Sequence, residues 1–196
     1  MDSSMPIVVA LGAFFIWALV IYNRLVTLRN RVANALAQID VQLKRRHDLI
    51  PNLVETARGY MSHERETLQT VISAREAARA AGQTAARNPA DAQAMAAMAQ
   101  AEGALSSSLG RFFALAEAYP DLKADQNMMQ LSEEVATTEN KLSFARQAFN
   151  DAVMHLNTAL ESFPAVMFAA TLGFRPAAPL APLDSDLERQ APAIKF

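Results

Sequence analysis

Hydrophobic and polar positions divide the chain into one uncharged run followed by striped segments. From Met5 to Tyr22 the sequence reads MPIVVALGAFFIWALVIY, 18 positions without a charge. As a helix rising about 1.5 Å per residue, this run reaches roughly 27 Å, close to the hydrocarbon thickness of a bilayer. It predicts a single transmembrane helix, with Trp17, Tyr22 and Arg24 at the membrane interface, where amphipathic rings and a first cation belong. A cleaved signal peptide is the competing reading. It calls for a basic residue before the run and a small-residue cleavage site after it. Here Asp2, Ser3 and Ser4 precede, and Ile21-Tyr22-Asn23-Arg24 follow, so an uncleaved anchor is expected.

Beyond the anchor, Leu25, Leu28, Val32, Leu36, Ile39 and Leu43 recur at the three-and-four spacing of an amphipathic helix over residues 23–47. Asp48 is placed to cap a second helix with Pro51 in its first turn, striped through Leu49, Leu53, Ala57, Tyr60, Leu68, Val71 and Ala78 and ending near Gly82. The alternative is a continuous rod that Pro51 kinks, and the pattern leaves both open. Asn88-Pro89 signals a third helix, apolar at Met95, Met98, Leu105, Leu109, Phe112 and Leu115 and stopping before Pro120. The fourth stripe runs Leu131, Val135, Thr138, Leu142, Ala145, Phe149, Ala152, Leu156, Leu160 and Phe163, a heptad seam of the coiled-coil kind. A short helix is expected over Ala165–Leu172, closed by Gly173. After Arg175 the Pro-rich sequence has neither period and reads as an extended, mobile tail.

The expected fold class is therefore all-α: a single N-terminal transmembrane helix followed by an up-and-down four-helix bundle with long antiparallel helices. The domains are residues 1–22 (anchor), 23–174 (bundle) and 175–196 (tail). Composition agrees, with apolar residues at 52% but aromatics at 7%, which favours packed helices over a sheet. Arg24, Arg29 and Arg31 follow the uncharged run with no acid before Asp40. The excess of positive charge places the bundle on the cytoplasmic side and the N-terminus outside.

Chemistry is sparse. Without cysteine there is no disulfide, thiolate nucleophile or sulfur-based zinc site. His63-Glu64 begins a zinc-like motif, but Thr67 stands where the second histidine is needed. His47, His63 and His155 have no histidine at i+3 or i+4 and are expected to be surface or satisfied helix residues. Glu133, Glu134 and Glu139 read as a solvated face, and Ser106, Ser107 and Ser108 as small packing residues. The basic run Lys44-Arg45-Arg46 lacks interleaved aromatics, and the formal net charge is −2, so no nucleic-acid surface is expected. The run reads as the cationic end of a helix. The Ala-rich stretch from Ala77 to Ala104 reads mainly as alanine filling exposed helix positions, with close helix approach or self-association as the alternative. No enzyme, catalytic residue, cofactor, metal or small-molecule substrate is assigned.

The segment YNRLVTLRNRVANALAQIDVQLKRRHDLIPNLVETARGYMSHE, from Tyr22 to Glu64, resembles the hallmark of the LemA family. EAYPDLKADQNMMQL from Glu117, ENKLSFARQAFNDAVMHLN from Glu139, Phe163-Pro164, Gly173-Phe174 and the ending PAIKF follow in the family's order. Leu36-Ala37 stand where the family commonly has Trp-Ser. The resemblance implies a bacterial inner-membrane protein with one N-terminal helix and a cytoplasmic four-helix bundle, and it brings no catalytic function or cofactor. Some such relatives belong to magnetosome membranes, which suggests a membrane-organising role.

The function expected is a membrane-anchored scaffold or adaptor, touching the lipid bilayer and either a membrane-protein partner or a second copy of itself. The candidate interaction face comprises Asn34, Gln38, Asp40, Gln42, Arg45, Arg46, Asp48, Asn52 and Glu55, polar residues of the family segment that mostly fall off the apolar stripe. The alternative is an extracytoplasmic helical-bundle sensor, which requires the opposite topology.

Overall fold

The computed structural model describes residues 5–87 and 91–180, and every regular element among them is helical. Helix α1 spans Met5–Arg58, α2 Arg65–Arg87, α3 Ala92–Ala116, α4 Pro120–Lys123 and α5 Gln126–Glu161, followed by a 3₁₀ turn over Ala165–Met167. Of the two readings left open at Pro51, the structure has the continuous rod: α1 runs through Pro51 to Arg58 without a break at Asp48. It gives way to a turn after Arg58, where the amides of Tyr60 and Met61 both return to the Ala57 carbonyl. That turn folds Met61 back into the interior, where it is fully buried. The second helix accordingly begins later than expected, and it runs past Gly82 to Arg87.

Asn88 and Pro89 lie outside the described residues. The cap of α3 is Asp91, whose Oδ1 accepts from the amides of Gln93 at 2.9 Å and Ala94 at 3.3 Å. Asp125 does the same for α5, accepting from the Met128 amide at 2.9 Å.

Two compact units divide the chain. In the first, residues 5–37 pair with 147–179. Leu25 and Leu28 of α1 meet Leu156 and Leu160 of α5, and Ala165, Ala169 and Phe174 close the cluster. The expected helix after Pro164 is only the 3₁₀ turn and a run of further turns. It closes as a helix would: the Phe174 amide reaches the Ala169 carbonyl and the Gly173 amide reaches that of Ala170, at 3.0 and 3.1 Å. Gly173 takes φ +80°, a conformation that favours glycine. Phe174 is thereby set against Tyr22 edge-on, with centroids 5.6 Å apart, and under the Arg29 guanidinium at 5.4 Å. The expected tail begins later than Arg175. Asn157 grips Ala177 by both its backbone groups, each at 2.9 Å, and Leu180 is buried. Residues 181–196, the remainder of that tail, lie outside the described residues.

In the second unit, residues 38–146 with Leu180 among the described residues, an apolar core joins the five helices. Ile50, Leu53 and Val54 of α1 pack with Leu68, Val71 and Ala78 of α2, Leu105, Leu109 and Phe112 of α3, and Met128 and Val135 of α5. Leu122, on the single turn of α4, is buried in the same core. Ala78, Ala85, Ala94 and Ala99 are buried, whereas Ala77, Ala80, Ala86, Ala96 and Ala97 are exposed. The Ala-rich stretch therefore supplies both small packing residues and solvated helix surface.

Candidate functional site

Within that second unit, one polar group interrupts the apolar core. Arg46, expected on the outer polar face, points inward with a side chain only 1% exposed. Its Nη1 donates to Glu102 Oε2 at 3.3 Å, and its Nη2 donates to Ser106 Oγ at 2.7 Å and lies 3.2 Å from Glu139 Oε2. His47 Nε2 stands 3.0 Å from the other Glu102 oxygen. Arg46 and His47 come from α1, Glu102 and Ser106 from α3, and Glu139 from α5. The burial explains the pairing: a guanidinium or carboxylate withdrawn from water is tolerated only when paired and hydrogen-bonded.

The two carboxylates face the guanidinium from different helices, Glu102 from α3 and Glu139 from α5. Among the described residues no three His, Cys, Asp or Glu side chains gather to hold a metal. Glu102 engages His47 through one oxygen and Arg46 through the other, which gives each oxygen a partner and orients the imidazole. With Arg46, Glu102 and His47 all buried, the group is built to couple three helices. Among the described residues, two buried side-chain atoms keep no protein partner, Arg46 Nε and Gln42 Oε1. They are a donor and an acceptor one helical turn apart, the complement a single water needs.

These positions correct several expectations. Arg46 belongs to the interior, not to the interaction face. Glu139 is half-exposed, yet it is tied to Arg46. Ser106 accepts a hydrogen bond and does more than fill space. His47 is a satisfied helix residue, as read from the sequence. Glu102 escaped notice, although a signal existed: it lies four after Met98 and three before Leu105, on the apolar seam itself. Arg46 lies three after Leu43 and four before Ile50 on the seam of α1. Opposite charges on the seams of two helices announce a buried pair.

The remaining face residues point outward. Asn34, Gln38, Asp40, Asp48 and Asn52 are exposed, Gln42 is half-buried, Glu55 pairs with Arg58 at 3.0 Å, and Arg45 approaches Glu134 of α5 at 3.7 Å. At the other end of α1, Val8, Val9, Leu11, Phe14, Phe15, Ile16, Leu19 and Val20 are exposed, as are Trp17 and Tyr22. Among the described residues α1 is the helix long and apolar enough to cross a membrane, with mean hydropathy 1.9 over an 18-residue window of which 6% is buried.

The chain is 24% identical over 183 residues to magnetosome protein MamQ of Magnetospirillum gryphiswaldense, covering 86% of this chain and 67% of that relative. The sequence profile of the LemA family matches residues 35–196, a span that takes in Arg46, His47, Glu102, Ser106 and Glu139. This chain belongs to the LemA family.

Proposed function

We propose that this protein is a membrane-tethered helical scaffold, acting through contacts of its helix faces rather than through catalysis. In this reading, the first turns of α1 cross the bacterial inner membrane once, with the N-terminus outside. The helices of the second unit form an up-and-down four-helix bundle in the cytoplasm. The observation that carries the tether is the ring of exposed apolar side chains from Val8 to Val20, with Trp17 and Tyr22 at its charged end. Sheltering a Val, Leu or Phe side chain from water is worth about 1.5–3 kcal/mol, so the whole ring favours lipid by on the order of 20 kcal/mol. The orientation rests on Arg24, Arg29 and Arg31, which follow the run without an intervening acid.

The scaffold role rests on the outward face of α1 within the second unit, where Gln38, Asp40, Arg45, Asp48, Asn52 and Glu55 lie exposed. Beneath them the Arg46–Glu102 pair holds α1 to α3, so the face is rigidly presented. Its partner is a membrane protein or a second copy of the chain, and the magnetosome protein among its relatives supports a membrane-organising role. Carbonate extraction of native membranes tests the tether, which requires the chain to stay in the pellet. A C-terminal fusion to a reporter active only outside the cytoplasm tests orientation: silence fits the proposal, and activity favours an extracytoplasmic sensor. In-membrane cross-linking at native abundance completes the set. Recovery of free monomer alone counts against the scaffold.

A further inference from the structure

Within the first unit, at the end of the uncharged run, α1 and α5 part to leave a cavity of about 510 Å³. Its floor is apolar, made by Ile21, Leu25 and Leu28 with Ala159 and Ala165. One wall is cationic and the other polar. Arg24 and Arg31, two helical turns apart on α1, line one side, and His155 and Thr158 of α5 line the other. No carboxylate lines it. Neither Arg24, Arg31 nor His155 has an ion-pair partner among the described residues. Two other lining hydroxyls are already spent on their own helices: Thr27 donates to the Asn23 carbonyl at 2.9 Å and Ser162 to that of Thr158 at 2.6 Å. The groups left to receive a ligand are two guanidiniums, an imidazole and the Thr158 hydroxyl. This is a donor set for a phosphate oxygen.

The rim carries a second property. Phe163 lines the cavity and is 79% exposed, and Met167 and Val166, on the 3₁₀ turn beside it, are 73% and 54% exposed. Such apolar side chains standing outward beside a cationic cavity match a surface whose headgroups are charged and whose depth is hydrocarbon. Arg29, at the same level of α1, is occupied over the Phe174 ring and does not line the cavity.

We propose that this cavity binds the phosphate of an anionic phospholipid from the leaflet that α1 enters, with Arg24 and Arg31 clamping the phosphate, His155 and Thr158 completing it, and Phe163, Val166 and Met167 dipping among the acyl chains. The proposal rests on the membrane-tethered reading and deepens it. The site makes the tether selective for lipid composition, since zwitterionic headgroups bring no net charge to an unpaired arginine pair.

The test uses the full chain extracted in detergent and equilibrated with mixed micelles of phosphatidylcholine and phosphatidylglycerol, with retained lipid counted by mass spectrometry. Wild type is expected to retain phosphatidylglycerol above its bulk fraction. Arg24→Gln and Arg31→Gln are each expected to lower that enrichment about fivefold, since a basic side chain at an anionic surface contributes about 1 kcal/mol. Arg29→Gln removes the same charge outside the cavity and is expected to keep most of it. Equal losses for all three variants overturn the site in favour of diffuse attraction. Displacement of the lipid by inorganic phosphate at modest concentration also overturns it, pointing to a soluble anion. Circular dichroism of each variant guards against unfolding. Wild type that resists carbonate extraction yet shows no enrichment defeats this site while the tether stands. Wild type that washes off the membrane defeats the tether.

Discussion

Arg75 of α2 donates its Nε proton to the His47 carbonyl at 2.6 Å, and that carbonyl is the one Pro51 leaves without a helical partner. In an α-helix the amide of residue 51 bonds the carbonyl of residue 47, and proline has no amide to give. A side chain from the neighbouring helix supplies the missing donor. This is the physical reason α1 runs through Pro51. The same substitute bond joins α1 to α2 directly beside the Arg46–Glu102 pair, so two adjacent residues of α1 are tied to two different helices.

The coupling between Pro51 and Arg75 is measurable as a double-mutant cycle. Arg75→Ala is expected to destabilise the protein by about 1–2 kcal/mol, the cost of an unmade buried hydrogen bond. In a Pro51→Ala background the helix recovers its own donor, and the same substitution is expected to cost less. Equal costs in both backgrounds, read by thermal melting in detergent, refute the substitution of one donor for the other.

Arg46→Met leaves Glu102 buried without its arginine partner, and a loss of about 3–5 kcal/mol is expected. Adding Glu102→Met to the same chain is expected to restore much of that loss, because removing both charges removes the uncompensated one. Chemical denaturation of the two variants distinguishes this from a packing effect, which the second substitution does not repair.

Asp125 gives the fold an acid sensitivity. The Met128 amide, foremost, and the Tyr60 hydroxyl at 3.1 Å hold its carboxyl below the ordinary carboxylate value. Because the folded value lies below the unfolded one, this stabilisation is present above the unfolded value and is lost as pH falls through the folded one. Asp125→Asn, which keeps a capping oxygen but no charge, is expected to lower the melting temperature at neutral pH and leave it nearly unchanged in acid, so that its dependence on pH in the acidic range flattens.

Tyr60 gives the opposite limb. Its hydrogen bond to Asp125, then the charge of that carboxylate, push its phenol above the ordinary value. Its contribution is complete below the unfolded value and is lost as alkaline pH rises through the folded one. Tyr60→Phe is expected to remove that alkaline loss, seen as a flatter melting profile above neutrality.

Asn157→Ala breaks both bonds that hold Ala177. Hydrogen exchange at the Ala177 amide is expected to accelerate about tenfold, the equivalent of roughly one net hydrogen bond. An unchanged rate means that the packing of neighbouring residues, not the amide clamp, holds this segment.

Local pattern was sufficient for much of this molecule. The uncharged run, the seam of α5 from Leu131 to Leu160 and the dominance of helix over sheet follow from side-chain period and composition, which belong to the chain before it folds. The buried site was written less openly. Splitting α1 at Asp48 turned Arg46 into a helix-end cation, and only a continuous helix shows it sitting between Leu43 and Ile50 on the inner seam. Glu102 was passed over because its neighbours on α3 are apolar and its partner lies 56 residues away. Cysteine-free composition, helical period and the order of polar and apolar stretches were determined by the sequence itself. Whether Pro51 ends a helix, which way Arg46 faces and where Ala177 is held were decided by tertiary structure. Each depends on a donor or acceptor delivered by a distant segment, from Arg75, Glu102 and Asn157, and local preference contains no term for a partner that folding alone brings near.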